Sequence, residues 1–395
     1  MSCCNCHHRE HEDDEEYDGE YDDIAETPPV LAVIMDLDGT LLNTEKATKG
    51  ILNDFLKKYG KEVDREKEDN KLGMMHSEST AATVKDYDLP LTPEEFSKEI
   101  MALLIQRWPL AQALPGANRL IQHLHKQGIP FALASNSRTE NVQKKVFNQQ
   151  GWKESFSVII GSDQVKSGKP SPDIFLEAAK RMGVDAANCL VIEDSVVGVM
   201  AGKAAGMKVV AVPSLQTQPD RYSIADSVLH SLLEFQPELW GLPAFEDWVR
   251  NALPIEPMYV QGLLQKGSLC EDTEDGPDAL PDQVSGVYFG WARLSSNQIV
   301  KTVISVTWHQ NTAKRVIRPH LIDEPDECIS GQLLQILIVG YIREPSNKVN
   351  SPVHLEITEQ NISIASEALD LTMFLHHKNS PLLAEKPIVD DIAEE

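Results

Sequence analysis

Long apolar runs are missing from this 395-residue chain, and without one of about 20 residues no helix can span a bilayer. A soluble protein is therefore expected. Basic charge is also scarce, with 36 Lys and Arg against 61 Asp and Glu and a net charge of -25, so a nucleic acid polyanion would be repelled. Cys189, Cys270 and Cys328 show no paired spacing, which excludes a disulfide framework and suits a reducing compartment. Cys3, Cys4, Cys6, His7 and His8 crowd the start, yet apart from His11 no second ligand pair follows at zinc spacing. Reversible acylation of Cys3 or Cys4 and unmodified thiols remain open alternatives, while Ser2 removes the myristoylation signal. Much of the negative charge is local: residues 9–26 hold eleven acids and one Arg. Such an arm repels itself and is expected to be disordered. It is too acidic for an organellar presequence, and no secretory apolar segment follows it, so a cytoplasmic location is expected.

What is present begins with Leu31 to Met35, a short apolar run that reads as a buried parallel strand. It delivers Asp36 and Asp38 to its carboxyl end, where open α/β sheets bind ligands, and Gly39 lets the chain turn away. Two crowded carboxylates are costly unless a cation joins them, which points to a hard divalent metal. A solvated acidic turn is the plainer reading of these residues alone. Three further blocks follow in order. Phe131 to Ala134 is an apolar strand ending in Ser135, Asn136 and Ser137; Lys169 stands on a turn between Gly168 and Pro170; Cys189 to Ile192 ends in Glu193 and Asp194. A small-residue helix with Gly198, Ala201, Gly202 and Ala205 comes next and can pack close to the sheet.

Together these four blocks resemble the haloacid dehalogenase-like phosphohydrolases, from about Leu31 to Trp248. The resemblance implies a doubly wound parallel sheet of α/β class, consistent with strands near Pro130 to Ala134, Val158 to Gly161, Leu190 to Glu193 and Val209 to Val212 alternating with helices. It implies that Asp36 is the carboxylate nucleophile and Asp38 the acid and base, a second acid that favours phosphatase over dehalogenase chemistry. It implies phosphate contacts from Ser135, Asn136 and Lys169, and magnesium held by Asp36, the carbonyl of Asp38 and Asp194, with Glu193 a further possible ligand.

Between the first two strands the pattern turns helical, as in the small helical caps of that superfamily, over about residues 46–115. Thr92, Pro93 and Glu95 form a capping box at the start of one helix. The loop with Gly73, Met74 and Met75 is the expected place of substrate selection. Relatives associated with FMN hydrolysis read Gly-Lys-Thr-Pro there, so the Met pair either changes the substrate or simply packs.

Prolines from Pro237 to Pro257 mark a boundary. Beyond it, Ser285 to Ala292, Val300 to Trp308 and Leu333 to Arg343 alternate as strands of a small β-barrel, closed by a helix near Ile362 to Leu369. The blocks from Gly286 to Trp291 and Ile338 to Arg343 are similar to riboflavin kinase, and the fusion resembles the plant bifunctional riboflavin kinase/FMN phosphatase family. That places an acidic arm at 1–29, a phosphatase domain at 30–250, a kinase-like barrel at 258–371 and a tail at 372–395. The kinase family's Gly-Arg-Gly-Ser-Lys loop and Pro-Thr-Ala-Asn segment give way to an acidic stretch from Leu263 to Pro277, and its basic Glu aligns with Arg318. Its Asn-Pro after Trp is replaced by His309 and Gln310. Losing the phosphate cradle, metal ligands and base together should remove kinase activity. The leading expectation is a magnesium-dependent phosphomonoesterase acting on a small phosphate ester, FMN being the closest implied substrate. Alternatives are a phosphatase for sugar phosphates or similar metabolites, residual riboflavin kinase activity, and a non-catalytic flavin sensor or scaffold.

Overall fold

The computed structural model describes residues 28–71, 74, 76–213, 219–270, 275–308, 314–322, 330–345 and 355–384. The N-terminal Cys and His group, the acidic arm up to residue 27, Gly73, Met75, His309, Gln310 and the last eleven positions lie outside them. Two six-stranded sheets organise the rest. The first consists of β1 (Ala32–Met35), β2 (Phe131–Ser135), β3 (Val158–Gly161), β4 (Cys189–Glu193), β5 (Lys208–Ala211) and β6 (Ser227–Val228), in the order β3-β2-β1-β4-β5-β6. Every pairing is parallel. β1, β2 and β4 are buried along their whole length, which is why they read as unbroken apolar runs. The connection from β1 runs to β2 on one side, whereas β4 lies on the other, so the strand order switches at the carboxyl ends of β1 and β4. Open α/β sheets put their ligand crevice at such a switch.

Five helices leave the sheet after β1: α1 (Thr44–Thr48), α2 (Ile51–Lys57), α3 (Arg65–Asp69), α4 (His76–Asp86) and α5 (Pro93–Arg107). They share a small core of Phe55, Leu56, Tyr87, Leu89, Phe96 and Ile100, with Phe55 edge-on to Phe96. The α5 start carries the anticipated capping box, the Thr92 hydroxyl accepting from Glu95 N and the Glu95 carboxylate accepting from Thr92 N. α6 (Ala117–Lys126), α7 (Thr139–Val146), α8 (Trp152–Ser155), α9 (Asp173–Met182) and α10 (Val196–Ala204) flank the sheet. α10 lies so close that a Cβ on Gly202 would sit 2.8 Å from Val209 Cγ2.

The second sheet is antiparallel and comprises β7 (Leu253–Gln265), β8 (Ser268–Cys270), β9 (Gly286–Arg293), β10 (Ile299–Trp308), β11 (Arg315–Leu321) and β12 (Leu333–Arg343), in the order β11-β10-β9-β12-β7-β8. Its edge strands β11 and β8 curl back against each other, giving a near-barrel. α11 (Glu359–Leu369) covers one face through Ala365, Ala368 and Leu369. β7 starts at Leu253, five residues before the expected boundary, because it absorbs Pro254 and Pro257. The β7–β12 ladder shifts register there, from Ile338 opposite Met258 to Gly340 opposite Pro254. A bulge of this kind is where a strand tolerates a residue without an N–H donor.

The proline-rich segment ahead of β7 belongs physically to the first domain. Phe235 and Leu242 join its core, with Trp240 and Phe245 packed against it. Arg119 on α6 binds Asp247 through Nε and Nη2, both at 2.7 Å, and lies over the Phe245 ring.

Candidate active site

Asp36 is still on the sheet, its N–H donating to Ile192 O at 3.0 Å, so its side chain enters the crevice between β1 and β4. Gly39 then adopts φ +85°, and a Cβ there would lie 2.3 Å from Asp194 Oδ2. Only glycine gives both the left-handed turn and the room for that carboxylate. Thr40 follows and donates to Asp194 Oδ1 at 2.9 Å. Asp194 is held from behind by Tyr222, whose hydroxyl donates to its carbonyl at 2.7 Å.

Lys169 is the cation at the centre, buried completely enough to count as part of the core. Its ammonium donates to Asp36 Oδ1 at 2.5 Å, Glu193 Oε1 at 2.6 Å and Ala134 O at 3.0 Å. Asn136 fixes the turn that carries it, accepting from Lys169 N at 2.9 Å and donating to Lys169 O at 3.3 Å. Glu193 uses both oxygens, since Oε2 accepts from Ser195 N at 2.8 Å and from the Ser195 hydroxyl at 2.9 Å. Gly198 makes room for it, because a Cβ there would fall 1.7 Å from Glu193 Oε1.

Asp38 occupies the other side of the crevice, half-buried. Its Oδ2 accepts from Lys145 Nζ at 2.7 Å and Ser137 Oγ at 3.3 Å, with Ser135 Oγ at 3.5 Å. Burial opposes its ionisation, but the Lys145 ammonium and the hydroxyls of Thr44 and Ser137 outweigh that and hold its carboxyl below the ordinary range. Asp36 differs. Burial pushes its carboxyl up to about 7 despite Lys169, and the charges of Glu193 and Asp38 add to the push. Asp194 is likewise raised, by burial and by the charges of Glu193 and Asp36. Burial disfavours the Lys169 charge, yet Asp36 and Glu193 overcome this and raise it.

Ligand oxygens of Asp36, Glu193 and Asp194 lie within 4.8 Å of one another. Three buried carboxylates around one ammonium leave negative charge to be neutralised, and an all-oxygen donor set suits a hard divalent cation. Glu193 is committed to Lys169 and Ser195, which fits an orienting role better than direct ligation. Magnesium therefore fits the pocket formed by Asp36 and Asp194.

The sheet thus gathers Asp36, Asp38, Ser135, Asn136, Lys169, Glu193 and Asp194 at one edge. Met74 sits partly exposed on the cap, its N–H donating to Lys71 O at 3.1 Å. The nearby Lys71 ammonium is bonded to Glu68 and Thr83 within the cap body. Ser137, expected only as a polar strand end, reaches Asp38, while Lys145, Thr40 and Tyr222 escape the sequence reading. Lys145 had a signal, since it shares the inward face of α7 with buried Val142 and Val146. The others contribute through distant contacts that no local pattern announces.

Residues 33–212 match the haloacid dehalogenase-like hydrolase family, and residues 273–363 match riboflavin kinase. A bifunctional riboflavin kinase/FMN phosphatase from Arabidopsis thaliana is 44% identical over 366 residues, covering 89% of this chain and 97% of that protein. The chain belongs to the bifunctional riboflavin kinase/FMN phosphatase family. It is accordingly a phosphoric monoester hydrolase in its first domain. Membership also accounts for the two sheets, one of haloacid dehalogenase type and one of riboflavin kinase type. Family relatives of the first domain include a probable pseudouridine-5'-phosphatase from Drosophila melanogaster, 39% identical over 55% of this chain and 96% of that protein. A (DL)-glycerol-3-phosphatase from Arabidopsis thaliana is 38% identical over 55% of this chain and 94% of its own length. Among the described residues, no helix is long and apolar enough to cross a membrane.

Proposed function

We propose that the first domain hydrolyses FMN to riboflavin and phosphate through an aspartyl-phosphate on Asp36, with magnesium, and that the second domain no longer phosphorylates riboflavin. The observation that carries the reading is the Lys169 bridge between Asp36 and Glu193, with Asp38 held separately on Lys145. One buried carboxylate is placed to attack and another to handle protons; a cation bound beside Asp36 would keep it ionised against its burial, and an approaching phosphate dianion would raise Asp38 from its low value so that it carries the proton it donates. An Asp36 oxygen attacks phosphorus, and the bond from phosphorus to the ester oxygen breaks. Asp38 gives its proton to that departing oxygen, then takes one from the water that attacks the phosphoryl group. Inorganic phosphate leaves and the Asp36 carboxylate is restored. Ser135 and the Asn136 N–H donate to phosphate oxygens, and Lys169 balances their charge. Asp36, Asp194 and the Asp38 carbonyl would hold magnesium, which would supply charge neutralisation.

Substrate choice rests on the Arabidopsis relative, whose name includes FMN phosphatase and whose match runs through both domains. A second reading, a phosphatase for other small phosphate esters, is favoured by Met74 where FMN-associated relatives carry Lys. In the second domain, Lys266 and Gly267 at φ +50° and +75° form a tight two-residue hairpin between β7 and β8. Such a turn presents no glycine-rich cradle to a polyphosphate. Arg318 faces Ser305 across β10 and β11, and as a permanent cation it cannot take a proton from a riboflavin hydroxyl.

Phosphate release from FMN, glycerol phosphate and hexose phosphates in magnesium tests the first claim, with FMN expected to give the highest kcat/KM. Equal rates on all three would contradict it. Riboflavin with ATP and magnesium should yield no FMN, and appreciable FMN formation would contradict the second claim.

A further inference from the structure

We infer that the kinase-like domain serves the phosphatase directly, with Gln283 acting as a positioning residue for the Asp38-Gly39-Thr40 loop. Gln283 lies just before β9 in the second domain and is 4% exposed. Its Nε2 donates to the carbonyl of Gly39 at 2.9 Å. Gly39 sits between Asp38 and Thr40, and Thr40 holds Asp194. A side chain from one domain thus grips the backbone that sets two acids of the other.

The grip needs a firm base, and the second domain provides one. Arg315 on β11 is buried and lies over Trp308, 4.7 Å from the ring centre. Its guanidinium donates to Pro277 O at 2.6 Å, Leu280 O at 2.7 Å and Pro281 O at 2.7 Å. The same turn is anchored by Leu280 and Val284 in the barrel core. From the other side, the Lys46 ammonium on α1 donates to Ala279 O. The turn at 277–283 is therefore tied both to the barrel and to the entrance of the cap. It directly follows the acidic stretch from Leu263 to Pro277.

A loop that must hold acids to within a fraction of an ångström loses rate when one of its fixed points is removed. Substrate contacts are untouched, so the loss should fall on kcat. This rests on the reading of Asp36 and Asp38 as the phosphoryl-transfer pair, and the test separates the two.

Gln283→Glu keeps the side chain's length but turns the donor into an acceptor facing a carbonyl. Gln283→Leu removes the polar group altogether. In full-length protein with p-nitrophenyl phosphate and magnesium, both variants should lower kcat by about tenfold, with KM within about twofold of wild type. Melting temperatures should stay within about 2 °C of wild type. An unchanged kcat in both variants overturns the inference. So does a kcat loss accompanied by a matching drop in melting temperature, which marks a folding defect, or a rise in KM at constant kcat. An inactive wild type overturns the phosphoryl-transfer reading together with this one, whereas an active wild type matched by both variants overturns this one alone.

Discussion

Glycine at position 198 shows how single residues set this site. In a helix interior, replacing glycine with alanine ordinarily stabilises by about 1 kcal/mol. Here the sign should reverse, because the added methyl would lie 1.7 Å from Glu193 Oε1 and displace the carboxylate that holds Lys169. Gly198→Ala is expected to lower the melting temperature and to cut phosphate release by more than about tenfold. Thermal unfolding and a phosphate-release assay check both, and a stabilised, fully active variant would contradict the role given to Glu193. At this scale the sequence was informative wherever an apolar strand ended in a polar residue, as at Asp36, Ser135 and Glu193. It was silent on Tyr222 and Gln283, whose partners lie 28 and 244 positions away.

Elements were legible when their ends carried their own chemistry. Thr92, Pro93 and Glu95 mark the start of α5 because capping is a local interaction. The start of β7 was hidden because prolines ordinarily end a strand, and only the bulge opposite Gly340 lets the ladder pass them. The short segment after β6 offers a pH-dependent test of how such elements are secured. His230 Nδ1 lies 3.2 Å from Glu234 Oε2, and the same oxygen accepts from His230 N at 3.0 Å. The bond to Glu234 raises the imidazole above its ordinary value, with burial opposing. A raised folded-state value means stabilisation that is complete below the unfolded value of about 6.5 and lost as pH climbs through the folded one. The stability gap between wild type and His230→Gln, measured by urea unfolding across pH 5 to 9, should therefore be largest at the acid end and shrink with rising pH. A gap that widened towards alkaline pH would contradict this.

Across the whole molecule, the turn at 277–283 ties the second sheet to the first domain, through Gln283 to Gly39 and Lys46 to Ala279. Which surfaces meet could not be read from either domain's own pattern, since both patterns are complete without the other. The buried acids also link metal binding to global stability. Asp36 and Asp194 are raised by burial and by the charges of neighbouring acids, Glu193 first among them, so a bound divalent ion should relieve a strain that the folded protein otherwise bears. Magnesium at a hundred times its dissociation constant should add about 2.7 kcal/mol of stability. Scanning calorimetry should show a higher melting temperature with magnesium, reversed by a chelator. Asp194→Asn should respond less, and an identical response would place the ion elsewhere.

The most direct measurement is to quench the protein in acid during turnover of FMN with magnesium and locate the phosphoryl group by peptide mass spectrometry. A phosphorylated peptide with the group on Asp36, absent from Asp36→Asn, is the predicted result. Phosphate release at full rate by Asp36→Asn, or a phosphoryl group trapped on any other residue, would contradict the account.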